Sequence, residues 1–560
     1  MAKKTTYSTT QLARYLSEAP KAVKVYIRDL EKQIGNMANI GLALSKEKDM
    51  AKLLEMILLE AKRIANSDGG TLYMMTDDQR LRFEIMMTDS LDFHMGGTSG
   101  QDIPFYPVKL YDDGVENRTM IAAYVGLTGE TVNIPDAYKA KGFDFSGTKM
   151  FDEKTGYHSK SFLTVPLKNH EEEIIGVLQL LNAQSQKSKK IIEFTSDVQE
   201  MVEALASQAA VAITNKNLIR DLEALFESFI KLIASAIDAK SPYTGGHCAR
   251  VPEITMMLAE AVQGTKDGPF SDVEFTEKEM YELKIAAWLH DCGKVATPEF
   301  VVDKSTKLET IYDRVHEVET RFGVLLRDEE IKRLKKDLKI ERDVSLSNEE
   351  KATKIKSNLR DYRKTLRKLK SDIEFVKESN IGGEFMSGDK KERVHQISEY
   401  RWKPNGKMQN FLSEDEVYNL TIPRGTLTPE ERKVINDHIV VTIDMLEELP
   451  YPKHLRNVPE FAGGHHEKLD GTGYPKGLIK DEMSVQARIM AIADIFEALT
   501  ARDRPYKKGK TLSQAMRILG FMKNDAHIDV DLFEIFVREK IYLKYAEGYL
   551  DPEQIDEVQL

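Results

Sequence analysis

Cysteine is almost missing from this chain: Cys248 and Cys292 are the only two in 560 residues. That excludes a disulfide-stapled secreted framework, and neither residue has a spacing typical of a zinc site, so both read as reduced thiols of a cytosolic protein. Long apolar runs are missing too. None approaches the ~20 residues that a bilayer-crossing helix requires. The stretch from Met1 to Thr6 leads into polar residues without the apolar core of a signal peptide. The expectation is a soluble, cytoplasmic regulator without membrane contact. Positive charge is not in excess either, with 80 Lys and Arg against 91 Asp and Glu and a formal net charge of -11. Nothing global suits nucleic acid, so an anionic ligand must be held by local groups. At 560 residues the chain exceeds a single core, and two or three domains are expected.

What the chain does have is histidine in informative pairs. The stretch His465-His466-Glu467-Lys468-Leu469-Asp470-Gly471-Thr472-Gly473-Tyr474-Pro475-Lys476-Gly477 joins two imidazoles to a glycine-punctuated loop with a cationic rim. His290-Asp291 ends the apolar run from Ile285 to Leu289, and Lys294 is expected one helical turn after His290, on the same face. Further candidate metal ligands are His247 after Gly245-Gly246, His438 in the run after Thr428-Pro429-Glu430-Glu431, and Asp494 within Ala491-Ile492-Ala493-Asp494-Ile495-Phe496. Taken singly, His247 or the His290-Asp291 pair reads as an ordinary cap or surface feature. An ionised Asp494 among Ile, Ala and Phe must instead be paired or metal-bound. Together the set suffices for two metals, and mixed imidazole and carboxylate ligands suit Fe, Mn, Ni, Co or Zn over an all-oxygen Ca or Mg site. Two ions about 3.5–4 Å apart lower the pKa of a water and neutralise the attacking and leaving oxygens of a phosphodiester, so the pattern points to a metallohydrolase.

From His247 to about Asp529 this pattern resembles the HD-GYP family, a branch of the HD-domain metal-dependent phosphohydrolases, and the loop from His465 to Leu478 is its most specific signature. The resemblance implies an all-α domain that opens cyclic di-GMP to pGpG, and onward to GMP, at two divalent metals, with Fe or Mn ahead of Ni, Co or Zn. It implies His247, His290, Asp291, His438, His465, His466 and Asp494 as ligands. Asp291 would bridge the metals, Asp291 and Lys294 would be catalytic, and Lys294 would contact the scissile phosphate. Gly473, Tyr474 and Pro475 would contact substrate, together with Arg504 and Lys507 from Asp503-Arg504-Pro505-Tyr506-Lys507. Family members with a third metal carry a carboxylate just ahead of the first histidine, where this chain has Tyr243, Thr244 and two glycines, so a binuclear site is expected. The alternatives are another cyclic dinucleotide as substrate, or a non-catalytic cyclic di-GMP receptor or scaffold. The complete ligand set argues against the last.

The third histidine has two candidates. His316 fits the family's usual distance from His290, whereas His438 fits both the local motif and the distance to His465. His438 is preferred, which leaves His316 as a partly exposed helix residue. The conflict arises because residues 318–424 interrupt the family pattern. Within them Ile355, Leu359, Tyr362, Leu366, Leu369, Ile373 and Val376 alternate spacings of four and three among polar residues, which is a heptad seam. Ile331, Leu334 and Leu338 would supply the partner helix of an antiparallel hairpin turning near Ser345 to Asn348. Two readings stand: a stalk packed on itself, or an arm that dimerises or docks a protein partner.

Residues 40–214 follow a different grammar. Strand-like segments at 71–75, 81–85, 162–167 and 174–180 lie between apolar-periodic helices at about 48–66 and 193–214, which predicts a sheet with helices on one side. Thr131 to Asp136, Ser161 to Leu167 and Gly176 to Asn182 resemble a GAF domain, which implies small-ligand sensing or dimerisation with the ligand unknown. Phe151-Asp152-Glu153 is a fragment of the motif of the cyclic-nucleotide-binding subset, and Asp152 and Glu153 read as solvated loop residues. Beyond it, Leu218, Leu222, Leu225, Phe229, Leu232 and Ala236 form a second heptad seam, which suggests a parallel coiled-coil homodimer able to pass a shift to His247. The plain alternative is a helix packed on its own domain. The expected architecture is multidomain: an N-terminal helical segment 1–39, an α+β GAF-like sensor domain 40–214, a linker helix 215–240, and an all-α HD-type phosphohydrolase domain 241–550 with a helical coiled-coil insertion at about 318–424.

Overall fold

The computed structural model describes residues 20–240, 246–501 and 509–559. Residues 1–19 of the expected N-terminal segment, the stretch 241–245, and the candidate substrate residues Arg504 and Lys507 lie outside the described residues. By its internal contacts the chain divides into two compact units, Met1–Leu225 and Phe226–Leu560.

In the first unit, helices α1 (Lys21–Lys46) and α2 (Met50–Ala65) precede strands β1 (Ser67–Met75), β2 (Arg80–Thr88), β3 (Phe93–Gly96) and β4 (Val108–Lys109). Then come α3 (Ile121–Thr128), β5 (Val132–Ile134), α4 (Ser146–Thr155), β6 (Phe162–Lys168), β7 (Ile174–Gln184) and β8 (Ile191–Ile192). The strands form one antiparallel sheet in the order β3-β2-β1-β7-β6-β5, with β4 and β8 pairing on β2 and β7. Alternation along the strands builds two cores. Leu72, Leu163, Val165 and Leu178 meet α2 and the start of the following long helix, while Tyr73, Phe162 and Val177 face the other way and meet α3. Helices therefore cover both faces of the sheet, not the single face expected. The sequence hid this because α3 is short and apolar almost all round, with no amphipathic period to read. Asp152 is a second correction: it is buried on α4, where it accepts from Tyr138 Oη at 2.7 Å and from Ser159 N and Oγ at 2.8 and 2.7 Å. A carboxylate with three donors is stable away from water.

The helix α5 (Ser196–Lys240) is continuous over 45 residues. Its seam residues Leu218, Leu222, Leu225, Phe229 and Leu232 are exposed, Leu222 at 67% and Leu232 at 62%. A different stripe, Ile230, Ala234 and Ile237, enters the core of the second unit. The seam is thus not the face by which this helix packs on its own chain.

The second unit is built on α6 (His247–Gly264), α7 (Glu277–Leu289) and later helices around one large core that includes Leu258, Leu283, Ile489, Phe496 and Phe536. The interrupting segment forms a hairpin of α8 (Val315–Glu341) and α9 (Asn348–Ile381), opened by a Ser347–Glu350 capping box. Contacts of Lys377 with Glu319 and of Asn358 with Asp337 make the pair antiparallel. The seam is buried at Leu369 and Val376 near the base and only half-buried toward the tip, where Ile331, Leu334 and Leu338 are about half exposed. A separate small core of Phe322, Phe375, Val394, Ile397, Phe411 and Leu420 closes the base together with α10 (Gly388–Ser398). Among the described residues no helix is long and apolar enough to cross a membrane.

Candidate metal centre

Helix ends deliver most of the candidate ligands. α7 runs out at Leu289, and His290 turns its Nδ1 onto the Ala287 carbonyl at 2.8 Å. His438 opens α12 (His438–Glu447) where α11 (Pro429–Asn436) stops, with its Nδ1 on the Ile435 carbonyl. α13 (Val458–Gly463) ends at paired glycines, and His465 Nδ1 donates to the Ala462 carbonyl at 2.6 Å. In all three the partner lies three residues back. A carbonyl only accepts, so Nδ1 carries the proton and Nε2 faces the centre, the orientation a metal-binding imidazole uses. Burial opposes charge on His290, yet Asp291 raises its pKa to about 9, so a metal there would displace its Nε2 proton. His247 follows Gly246, which has φ 86°, and points Nδ1 at the Glu497 carboxylate. Asp494 projects from α14 (Val485–Thr500), a largely buried helix capped by Ser484.

These residues converge as two groups. Asp291, His438, His465 and His466 have ligand atoms within 4.8 Å of one another, and so do His247, His290 and Asp494. Asp291 joins the groups: Oδ2 lies 3.2 Å from His247 Nε2 and 3.3 Å from His290 Nε2, while Oδ1 lies 3.2 Å from His438 Nε2. Asp494 Oδ1 is 3.2 Å from His247 Nε2. The two Nε2 atoms of His247 and His290 stand 3.3 Å apart, as do those of His438 and His466.

Facing lone pairs at that separation repel unless a proton or cation lies between them. Asp291 Oδ1 and His465 Nε2 are buried without a hydrogen bond, an arrangement that costs free energy unless a metal takes the lone pair. The donor set therefore fits two divalent cations. The charges are arranged to the same end. Burial opposes ionisation of Asp291, yet Lys294 and His290 hold its carboxyl well below the usual carboxylate range. Burial likewise opposes Asp494, and His247 and His290 hold it low. Burial, then the charge of His290, pushes His465 down to about 4, so this imidazole stays neutral and able to ligate.

Lys294 does not continue α7. The helix ends at Leu289, and Cys292–Ala296 forms a 3-10 turn, so Lys294 approaches from a separate backbone segment and donates to Asp291 Oδ2 at 2.5 Å. In the glycine loop, Glu467 is buried and accepts from the amides of Lys476 at 2.7 Å, Gly477 at 3.2 Å and Leu478 at 3.0 Å. Gly473 is packed so closely that a Cβ would lie 2.3 Å from Lys468 N. Tyr474 stacks on His466 with ring centroids 4.9 Å apart and lines a cavity of about 390 Å³ with His466, Asp494, Lys468, Lys510 and His527. Lys294, Gly473 and Pro475 do not line that cavity. His316 belongs to neither ligand group; its side chain is 78% exposed and pairs with Glu319.

Sequence reasoning missed Glu497, which is fully buried and holds both His247 Nδ1 and Arg250 Nε, the latter at 2.6 Å. A signal was present. Glu497 follows Asp494 by one turn of the same apolar helix, and the argument that a buried carboxylate needs a partner applies to both. Lys510 and His527 had no such signal.

A family model described as HD domain matches residues 414–532, and one described as GAF domain matches residues 49–213. The chain carries a GAF domain followed by an HD domain. Its fold class is multidomain, with the sheet in the GAF domain and an all-helical HD domain after it. The HD match takes in His438, His465, His466 and Asp494, while His247, His290 and Asp291 precede it. An HD domain implies divalent metal binding. Among curated proteins, the "3'3'-cGAMP-specific phosphodiesterase 3" of Vibrio cholerae is 38% identical over 19% of this chain and 22% of its own length. The "Probable cyclic di-GMP phosphodiesterase" of Vibrio cholerae is 34% identical over 24% of this chain and 32% of its own. The "Cyclic di-GMP phosphodiesterase" of Thermotoga maritima is 41% identical over 17% of this chain and 25% of its own. The chain thus spans less than a third of the length of these relatives.

Proposed function

We propose that this chain is a cytoplasmic, metal-dependent phosphodiesterase of the HD-GYP type that hydrolyses cyclic di-GMP to pGpG and onward to GMP, under the control of its GAF domain. The observation that carries this reading is the sharing of Asp291 between two convergent ligand groups. His247, His290 and Asp494 would hold one divalent ion and His438, His465 and His466 the other, with Asp291 between them. The mixed imidazole and carboxylate set suits Fe, Mn, Ni, Co or Zn alike, and Fe or Mn is the reading proposed. When bound, the two ions supply Lewis acidity at the attacking and leaving oxygens of an in-line displacement.

The remaining work falls to the chain itself. Lys294 offers its ammonium to the scissile phosphate from beside Asp291. Tyr474 presents a ring to the cavity, whose walls Ile495, Leu499, Ile518 and Met522 exclude water and suit a purine, while Lys468 and Lys510 attract phosphate. Gly473 and Pro475 shape the loop that positions Tyr474. Arg504 and Lys507 complete the substrate contacts. The relative named for 3'3'-cGAMP favours a second reading, in which the same chemistry opens another cyclic dinucleotide. The exposed seam from Leu218 to Leu232 supports a parallel homodimer along α5, and the half-exposed tip of the α8–α9 hairpin is assigned to a protein partner. Neither nucleic acid nor a membrane is a partner in this reading.

The test is chromatographic product analysis with anaerobically purified, metal-counted protein and cyclic di-GMP or 3'3'-cGAMP as substrate. Formation of pGpG and GMP from the first, lost on Asp291→Ala, is expected. Intact substrates on protein carrying two metals would refute the enzyme reading.

A further inference from the structure

The last turn of α5 grips both backbone segments that flank the centre. Asp238 accepts from the Gly246 amide at 3.0 Å and from the Cys248 amide at 3.5 Å, on either side of His247. Two residues later, Lys240 Nζ donates to the carbonyls of Lys294 at 3.3 Å, Val295, and Thr297 at 2.7 Å. Positions two apart on a helix point about 200° apart around its axis, so the helix end stands between the two segments. The Lys294 carbonyl already accepts from the Thr297 amide at 3.1 Å, and Lys240 adds a second donor to it and reaches the Val295 and Thr297 carbonyls as well. A lysine ending a helix ordinarily serves the carbonyls of its own last turn; this one is turned onto another segment, the one that carries Lys294.

We infer that Lys240 is a positioning residue for Lys294. It holds the main chain of the turn Cys292–Ala296, while Asp291 holds the Lys294 ammonium at 2.5 Å, so the two contacts together set where that ammonium stands. The inference rests on the reading of Lys294 as the phosphate-binding group. A slip of α5 by one residue would move Lys240 by about 1.5 Å and turn it by about 100°, which hydrogen bonds of this kind do not survive. Movement of the helix would then change how Lys294 is presented, and through Asp238 it would also pull on the backbone either side of His247.

Lys240→Ala and Lys240→Arg in the full chain test this. Metal content should stay at the wild-type value in both. Amide hydrogen exchange in peptides covering residues 292–297 should quicken at least tenfold in Lys240→Ala and return towards wild type in Lys240→Arg. With cyclic di-GMP, kcat should fall about 10- to 100-fold in Lys240→Ala at unchanged metal occupancy. The decisive arm is the double variant: on a Lys294→Ala background, Lys240→Ala should cost nothing further in kcat, because both act through one ammonium. Unchanged exchange in 292–297 would overturn the inference, and so would an undiminished kcat loss on the Lys294→Ala background, which a merely structural role would give. If the wild type opens no cyclic dinucleotide, the functional reading fails on its own, and the exchange arm still decides whether Lys240 holds the turn.

Discussion

Gly293→Ala separates the effect of the ligands from that of the scaffold bringing them together. Gly293 lies between Cys292 and Lys294, two residues beyond Asp291, and its amide donates to Thr442 Oγ1 at 2.9 Å. A Cβ there would stand 2.0 Å from the His438 carbonyl oxygen and 2.5 Å from Thr442 N, against 3.4 Å for ordinary contact. The obstructing atoms are backbone of α12 and have no rotamer to swing aside, so the two segments must part by about 1–1.4 Å, the shortfall of the two approaches against normal packing distance. His438 heads α12, and its 3.2 Å approach to Asp291 Oδ1 is the contact that opens. Overpacking of this kind costs about 1–3 kcal/mol, and at roughly 2–4 °C per kcal/mol the Tm of the HD domain should drop by about 2–12 °C. A misplacement of about 1 Å at a reacting centre costs on the order of 100-fold in rate. Metal analysis should show loss of the ion assigned to His438, His465 and His466 and retention of the one assigned to His247, His290 and Asp494, with Asp291 still beside the latter pair of imidazoles. Two metals at wild-type affinity, with Tm and turnover unchanged, would refute the claim that this contact sets the geometry.

Three further outcomes are expected. Glu497→Gln removes the carboxylate that orients His247, so chelator competition should show metal affinity about 10- to 100-fold weaker; unchanged affinity would reduce Glu497 to a partner of Arg250. Glu467→Ala strands three amides of the glycine loop and should cost roughly 3 kcal/mol in urea denaturation, with KM raised because Tyr474 loses its support; an unchanged midpoint would count against this. Burial, then repulsion from Lys390 and Lys391, pushes the Lys307 amine down to about 8 from 10.5. The native state then binds fewer protons than the unfolded chain between those values, so stability rises with pH across the window. The urea midpoint of the wild type relative to Lys307→Met should climb between pH 7.5 and 10.5, and a flat difference would show that Lys307 keeps its ordinary pKa.

The candidate ligands were legible because local structure delivers them. His290, His438 and His465 each turn Nδ1 onto a carbonyl three residues back, where one helix ends or the next begins, and for His465 the sequence marks the stop with a glycine pair. His438 was preferred over His316 on the local motif and the distance to His465, and it is His438 that lies in a candidate ligand group; an insertion with its own core lengthens the chain without displacing what flanks it. The roles of Gly293, Glu467 and Lys240 were not legible. A glycine required by a neighbour's backbone looks like any other, and Glu467 reads as one more loop carboxylate until the loop folds over it.

The sequence by itself determined the order of parts and the candidate ligands: histidine and aspartate in a pattern suited to divalent metal, a sheet domain before a helical one, and two heptad seams. These follow from residue type and from spacings of two to four positions, which a chain expresses locally. Only the tertiary structure decided the rest. It placed helices on both faces of the sheet, buried Asp152, left the α5 seam in solvent, and ran Lys294 in from a separate turn. It also brought Glu497 to His247 across 250 residues and Lys240 to Lys294 across 54. Such pairings depend on which helices share a core, and that is settled by packing summed over the whole domain; spacing can show that Glu497 needs a partner but not which one it finds.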